Sequence, residues 1–193
     1  MPISKEQKQE SRTKIMQSAA SLFLQQGFAN VSIDDIMLNA GMTRGGFYAH
    51  FESKEALYEY AVIQAARDGA VMHALDSGRQ GKDLLRHIVD AYLSIGHVQQ
   101  KASSCPLAFL AADVGREEKR VRTAYTHVFS QMIEQILNRL EALKDAVMAR
   151  KVRAALAMMV GCVMVSRALT DQVLVSKMLE DCRRQVYQLL ALD

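Results

Sequence analysis

Hydrophobic residues recur along this chain at intervals of three and four rather than two. Ile15, Ala19, Leu22 and Phe23 begin the pattern, and their spacing predicts a helix over about residues 7–26 that stops at Gly27 of "QQGF" in a left-handed cap. Beyond "ANVS", Ser32 is suited to cap a second helix over about 33–39, with Asp34 and Asp35 in the first turn where the helix dipole favours negative charge. Ala40 and Gly41 end that helix, and Met42 plugs the turn. Thr43 can cap a third helix of about seven residues carrying Phe47, Tyr48 and Phe51, and Ser53 begins a fourth through "KEALYEYAVIQAARDGAVMHAL". If Phe47 and Phe51, four apart, face the core, Tyr48 and His50 point to the polar side.

The glycine-rich stretch "DSGRQGK" at 76–82 marks a boundary in or just before it. Further helices are predicted at about 82–99, 106–113, 117–142, 145–168 and 172–190. The window "AALAMMVGCVMV", residues 154–165, is apolar all the way round, so that helix must be covered on more than one side. This predicts a dimer interface, with Ala154, Ala155, Ala157 and Gly161 permitting close approach. The fold class is all-α with about nine helices: an N-terminal three-helix unit containing a helix-turn-helix, then a C-terminal helical unit.

Composition narrows the function classes. The 193 residues are half hydrophobic, with two prolines, ten glycines and no tryptophan, which suits a globular helical protein with a sizeable core. The formal net charge of +3 permits an anionic partner without demonstrating one. Residues 1–54 carry six Lys/Arg against five Asp/Glu, so charge alone makes no case for nucleic acid. Three cysteines at 105, 162 and 182 supply neither a disulfide framework nor a metal spacing, and the histidines also lack ligand spacing, so no metal or cofactor is expected. The polar start and the lack of any long apolar run predict a cytoplasmic protein without a membrane association.

Two short helices joined by a tight glycine-containing turn, with a longer helix on each side, describe a helix-turn-helix unit. The run "SIDDIMLNAGMTRGGFYAHFESKEALYEY" resembles the signature of TetR-family transcriptional regulators: a capped helix, Ala-Gly, a hydrophobe, Thr, aromatics around "YAHF", then "SKEAL". The match runs from Ile15 to Tyr60; the remainder resembles the family only in being helical and of suitable length. The resemblance implies a DNA-binding domain over 1–52, a connecting helix from about 53, and an effector-binding and dimerisation domain over 53–193. It also implies a homodimer, paired through the last two long helices, that binds a pseudo-palindromic operator and is released by a small-molecule, electrophile or oxidant effector. Repression is the family's majority behaviour.

The residues expected at DNA are Thr43, Arg44, Gly45, Gly46, Tyr48, His50, Lys54 and Arg12. Thr43 can offer hydroxyl and backbone N–H to a phosphate besides capping the helix, and Arg44 can take guanine bidentately or touch phosphate. Gly45 and Gly46 each cost about 1 kcal/mol against Ala in a helix, a loss explained if the helix tip must approach the groove floor without Cβ atoms. In the resembling family the residues matching Tyr48 and His50 bind phosphates; for His50 the alternative is a residue that only favours the helix dipole. Lys54 sits at the positive end of a helix, which makes sense if a phosphate lies there. Arg12 and Lys14 could reach phosphate or minor groove, or stay solvated.

In the C-terminal part Cys105 precedes Pro106 at a helix start, where a thiol pKa is lowered. "Cys-Pro-Leu" also resembles a branch of the family that includes NemR-type sensors of electrophiles and oxidants, against a simpler reading as a packed residue. Tyr92, His97, Phe109, Tyr125, His127 and Phe129 could line an effector pocket or form ordinary core, and Cys162 and Cys182 read as core or interface. Cys105 with His97 or His127 could be a thiol and base, yet no phosphate loop, paired carboxylate or oxyanion element accompanies them, so enzymatic activity is not expected. The competing readings are a helical dimeric adaptor, or a thiol-based redox sensor, without sequence-specific DNA binding.

Overall fold

The computed structural model describes residues 4–99, 105–140 and 145–192. Its helices are α1 (Lys5–Gln26), α2 (Ile33–Asn39), a 3₁₀ helix (Arg44–Ala49), α3 (Lys54–Arg67), α4 (Ala70–Leu75) and α5 (Gly81–Tyr92), followed by α6 (Ile95–Val98), α7 (Pro106–Val114), α8 (Lys119–Asn138), α9 (Ala146–Ala168) and α10 (Gln172–Leu190). Among the described residues there is no strand, as the propensities predicted.

The periodicity is visible in what each helix buries. Ile15, Ala19 and Phe23 of α1 are fully buried, while Leu22 lies at the edge of the core. Phe23 and Phe28 meet Tyr58 of α3 edge-on, with ring centroids 5.1 and 5.0 Å away, so an aromatic cluster locks α1 to α3. Truncating one of these rings costs about 3–5 kcal/mol. The other side of α3 packs on α8, and α9 pairs with α10 against α5, α7 and α8. Buried side chains form one continuous core from Ile15 to Leu192.

Three departures from the predicted elements have local causes. The fourth predicted helix breaks between α3 and α4, where Gly69 leaves the helical region at φ −82°, ψ 163° and Gln64 donates to the Asp68 carboxylate. The segment predicted over 82–99 breaks after Tyr92, because the Ser94 hydroxyl caps α6 and His97 bonds the Tyr92 carbonyl. The third helix is 3₁₀ rather than α; Gly46 N–H donates to the Thr43 carbonyl at 3.1 Å, and its six residues make it longer than most helices of that tighter geometry. The two breaks account for eleven helical elements among the described residues where about nine were predicted.

Gly27 also differs from expectation. Its φ is +79° but its ψ is 166°, a region open essentially to glycine alone rather than the left-handed helical well. A Cβ there would collide with the Asp113 carboxylate of α7. Of the small residues predicted to line a subunit contact, Ala154, Ala157 and Gly161 are wholly or partly exposed, but Ala155 is buried within the chain.

Candidate nucleic-acid interface

The helix-turn-helix is built by short-range rules and then fastened by side chains. Ser32 and Asp35 form a reciprocal capping box at the start of α2, and the bonds from Ser32 hold the Asp35 carboxyl below its usual range. Ser18 of α1 donates to the Ile36 carbonyl at 2.8 Å and accepts from Asn39 at 2.9 Å, which fixes α2 across α1. The turn needs Gly41, at φ +70°, and Met42 N–H closes it onto the Met37 carbonyl. Phe47 and Phe51 are buried as anchors of the 3₁₀ helix, with centroids 5.9 Å apart.

That anchoring turns the opposite face to solvent. Thr43, Arg44 and Gly45 are exposed, and Tyr48 is 62% exposed although its ring edge packs on Phe47. Thr43 has the extended backbone of a cap, φ −86° and ψ 149°, but its side chain makes no capping bond. The capping role predicted for it fails because the 3₁₀ turn already satisfies Gly46 N–H with the Thr43 carbonyl. Neither Gly45 nor Gly46 has a positive φ. A Cβ at Gly45 would meet nothing within 4 Å, and at Gly46 only the flexible Met37 Cε at 3.6 Å.

Arg44 pairs with Asp34 at 2.6 Å, both more than half exposed. Such a pair contributes only about 0.2–1 kcal/mol, so the guanidinium is held in place yet readily released. Asp34 was read in the sequence only as a helix-start residue; its ten-residue separation from Arg44 leaves no periodic signal.

Three other predicted residues have partners within the chain. Arg12 lies in the second turn of α1, donates to the His50 carbonyl, and stacks on Phe51 and Tyr60 at 4.2 and 4.7 Å. It is therefore part of the packing beneath the 3₁₀ helix, where the sequence suggested an arm that reaches phosphate or minor groove or stays solvated. Lys54 rests its ammonium 4.1 Å from the Phe28 ring centroid, and partial burial draws its pKa down. The aromatic face supplies a second reason for a cation at this helix start. His50 has its Nδ1 buried without a partner, and burial, then Lys8 and Arg12, lower its pKa.

The predicted effector residues divide. Tyr92, His97, Cys105 and Phe109 come together in the core, with His97 4.5 Å from the Tyr92 ring and 5.7 Å from Phe109. His97 Nδ1–H donates to the Tyr92 carbonyl at 2.7 Å and Nε2 accepts from Cys105 N–H at 3.3 Å. That pair of bonds describes a neutral imidazole, consistent with a pKa lowered by burial. The expectation of a low Cys105 pKa is overturned: the thiol is fully buried and desolvation pushes it up, outweighing the backbone N–H groups of Leu107 and Ala108. Tyr125 reaches this cluster only at its margin, donating to the Leu107 carbonyl, while Phe129 is half-buried and His127 is exposed.

Open space lies elsewhere. A cleft of about 170 Å³ between α3, α4 and α8 is lined by Ile63, Arg67, Met72, Gln131, Met132 and Gln135, among others. Sequence reasoning passed over all of these, because nothing local marks Arg67 as facing a gap. It also missed the ion pair that joins the helix-turn-helix to the C-terminal helices, Arg120 with Glu52 at 2.7 Å, and the close approach of the Asp113 side chain to Gly27.

Residues 15–61 match the family model described as bacterial regulatory proteins, tetR family. The HTH-type transcriptional regulator AcrR of Shigella flexneri is 42% identical over 55 residues, which are 28% of this chain and 26% of that protein. The chain spans about a quarter or less of the curated relatives it matches first. Over nearly its whole length the fold is that of solved structures: NemR of E. coli in reduced form, with a TM-score of 0.75 and 20% identity over 93% of this chain and 96% of that one, and a TetR transcriptional regulator from Chloroflexus aurantiacus, with 0.71 and 24% over 96% of each. No described helix is long and apolar enough to cross a membrane. The curated relatives matched over this segment bear the names of transcriptional regulators, and residues 15–61 of this chain are a match to the tetR family of bacterial regulatory proteins.

Proposed function

We propose that this protein is a one-component cytoplasmic transcriptional repressor that binds a pseudo-palindromic operator as a homodimer and releases it on binding a small molecule. The observation that carries the reading is the two-sidedness of the 3₁₀ helix. Phe47 and Phe51 hold it in the core while Thr43, Arg44, Gly45 and Tyr48 are left outward, and the glycines there have no conformational or packing reason inside the chain. Facing a major groove, Arg44 exchanges Asp34 for a guanine edge or phosphate, Tyr48 and the Thr43 hydroxyl take phosphates, and Gly45 permits close approach. His50 acts as a neutral donor through Nε2, since its Nδ1 is buried. Lys54 and Arg12 stiffen the platform more than they read it.

A second copy is suggested by apolar residues left outward on the last two helices: Val147, Met158 and Val165 on α9, Val173 and Leu174 on α10. Two-fold pairing there would present two recognition segments to half-sites spaced by about 34–36 Å per helical turn. The effector is assigned to the α3–α4–α8 cleft, where Arg67, Gln131 and Gln135 beside apolar walls suit a small amphipathic anion. Occupation would shift α8, and with it the Arg120–Glu52 tie to the DNA-binding unit.

The test is binding to palindromic duplexes across a salt series, where the affinity should fall steeply with salt. Tyr48→Ala should leave the melting temperature unchanged, because the side chain is largely exposed, yet weaken binding. An absence of salt-dependent duplex binding by a folded wild-type dimer would favour the adaptor reading instead.

A further inference from the structure

Neither the proposed DNA face nor the cleft uses Cys162 and Cys182, yet the fold brings these two thiols together. Cys162 Sγ lies 3.6 Å from the Met178 carbonyl oxygen, and Cys182 Sγ lies 3.8 Å from the Met158 carbonyl oxygen. Met158 and Met178 are each one turn before the cysteine of their own helix. Each sulfur therefore reaches across the seam to the opposite backbone, and the antiparallel register of α9 and α10 encloses both in one frame. Unlike Cys105, both are partly exposed.

Two further observations set the pair apart from packed cysteines. The neighbouring Cys182 thiol draws the first ionisation, at Cys162, down to about 7, while Cys162 pushes that of Cys182 up. Ser166, one turn along α9 and 2% exposed, has a hydroxyl with no hydrogen-bond partner of its own. It is the next group, after Cys182, that favours the Cys162 thiolate.

We propose that Cys162 and Cys182 form a two-electron redox site that hydroperoxides convert to a disulfide within one chain, stapling α9 to α10. The Cys162 thiolate attacks a peroxide oxygen and the O–O bond breaks, leaving a sulfenic acid on Cys162; the departing hydroxide takes a proton and leaves as water. Cys182 then attacks the sulfenic sulfur. The S–S bond forms, the S–O bond breaks, and the hydroxyl leaves as water with the Cys182 proton. Two thiols and one hydrogen peroxide give one disulfide and two waters, and a small-molecule thiol reverses the step by exchange. Cys182 is the resolving partner because its sulfur lies across the same seam, and Cys105 is excluded by burial.

The experiment treats the full chain at neutral pH with a small excess of hydrogen peroxide, blocks the remaining thiols by alkylation, and maps tryptic peptides without reduction. Trypsin separates residues 154–167 from 178–183, so the expected product is a cross-link between those two peptides within a monomeric band, with Cys105 still alkylatable after unfolding. Cys182→Ser should stop at a sulfenic acid on Cys162 that dimedone traps, and Cys162→Ser should consume peroxide at least tenfold more slowly. A cross-link between chains, a bond involving Cys105, or three thiols left free after peroxide would overturn the proposal. Should either serine variant fail to fold, the wild-type peptide map decides alone.

Discussion

Replacing both Gly45 and Gly46 with alanine separates what the fold needs from what DNA needs. Neither glycine has a positive φ, nothing lies within 4 Å of a Cβ at Gly45, and the Met37 Cε at 3.6 Å from one at Gly46 is ordinary contact with the end of a flexible side chain. The folded state therefore accepts both methyls, while the unfolded chain loses freedom, for a gain of about 0.4–1 kcal/mol per site. The tight 3₁₀ geometry favours the lower end, so the double variant should gain about 1 kcal/mol. For a chain of this size that is a rise in melting temperature of roughly 2–4 °C. In the proposed groove complex, however, the Gly45 methyl occupies space that the helix tip needs, whereas the Gly46 methyl turns toward Met37. Loss of close approach by even one contact worth about 1.4 kcal/mol weakens binding tenfold. Thermal unfolding by circular dichroism reads the first quantity. Fluorescence anisotropy at fixed salt, on a palindromic duplex selected by the wild type from a random pool, reads the second. A lower melting temperature with unchanged affinity would refute the reasoning and assign the glycines to the fold.

Gly27→Ala should have the opposite sign, losing about 1–3 kcal/mol from backbone strain at φ +79°, seen as a lower urea midpoint. Arg12→Gln should cost about 2 kcal/mol or more, because a charged hydrogen bond to the His50 carbonyl and two ring contacts vanish together; unchanged stability would return Arg12 to the solvent. His97 has a folded pKa below its unfolded value, and His50 shifts the same way. Above about pH 6.5 both are neutral folded or unfolded and stability is at its full value, while below it the unfolded chain takes up protons first. The urea midpoint should therefore fall between pH 7 and pH 5, and Cys105, being buried, should react with iodoacetamide in the native protein far more slowly than Cys162.

Elements whose causes are local were legible in advance. The Ser32 cap with Asp35, the Gly41 turn, the burial of Phe47 and Phe51, and the ends of α2 and α10 all rest on spacing, side-chain chemistry and backbone freedom within a few residues. Periodicity continues across the breaks at Asp68–Gly69 and after Tyr92, so neither was legible; the first rests on the extended backbone of Gly69 and the second on Ser94 and His97 side chains that take backbone groups. The helix-turn-helix motif could also be recognised from "MTRGGFYAHF", since its residue types sit at fixed offsets.

From sequence alone, then, come the all-helical class, the helix-turn-helix register and the residue types proposed to meet DNA. Tertiary structure alone decided which of them are free: it gave Arg12 to His50, Phe51 and Tyr60, set Lys54 on Phe28, and sank Cys105 beside His97 while bringing Cys162 to Cys182 at the surface. The physical reason is range. A cap or an apolar stripe is written within one or two turns, whereas desolvation and hydrogen bonding depend on neighbours tens of residues away, and those alone determine whether a side chain is reactive, occupied or available.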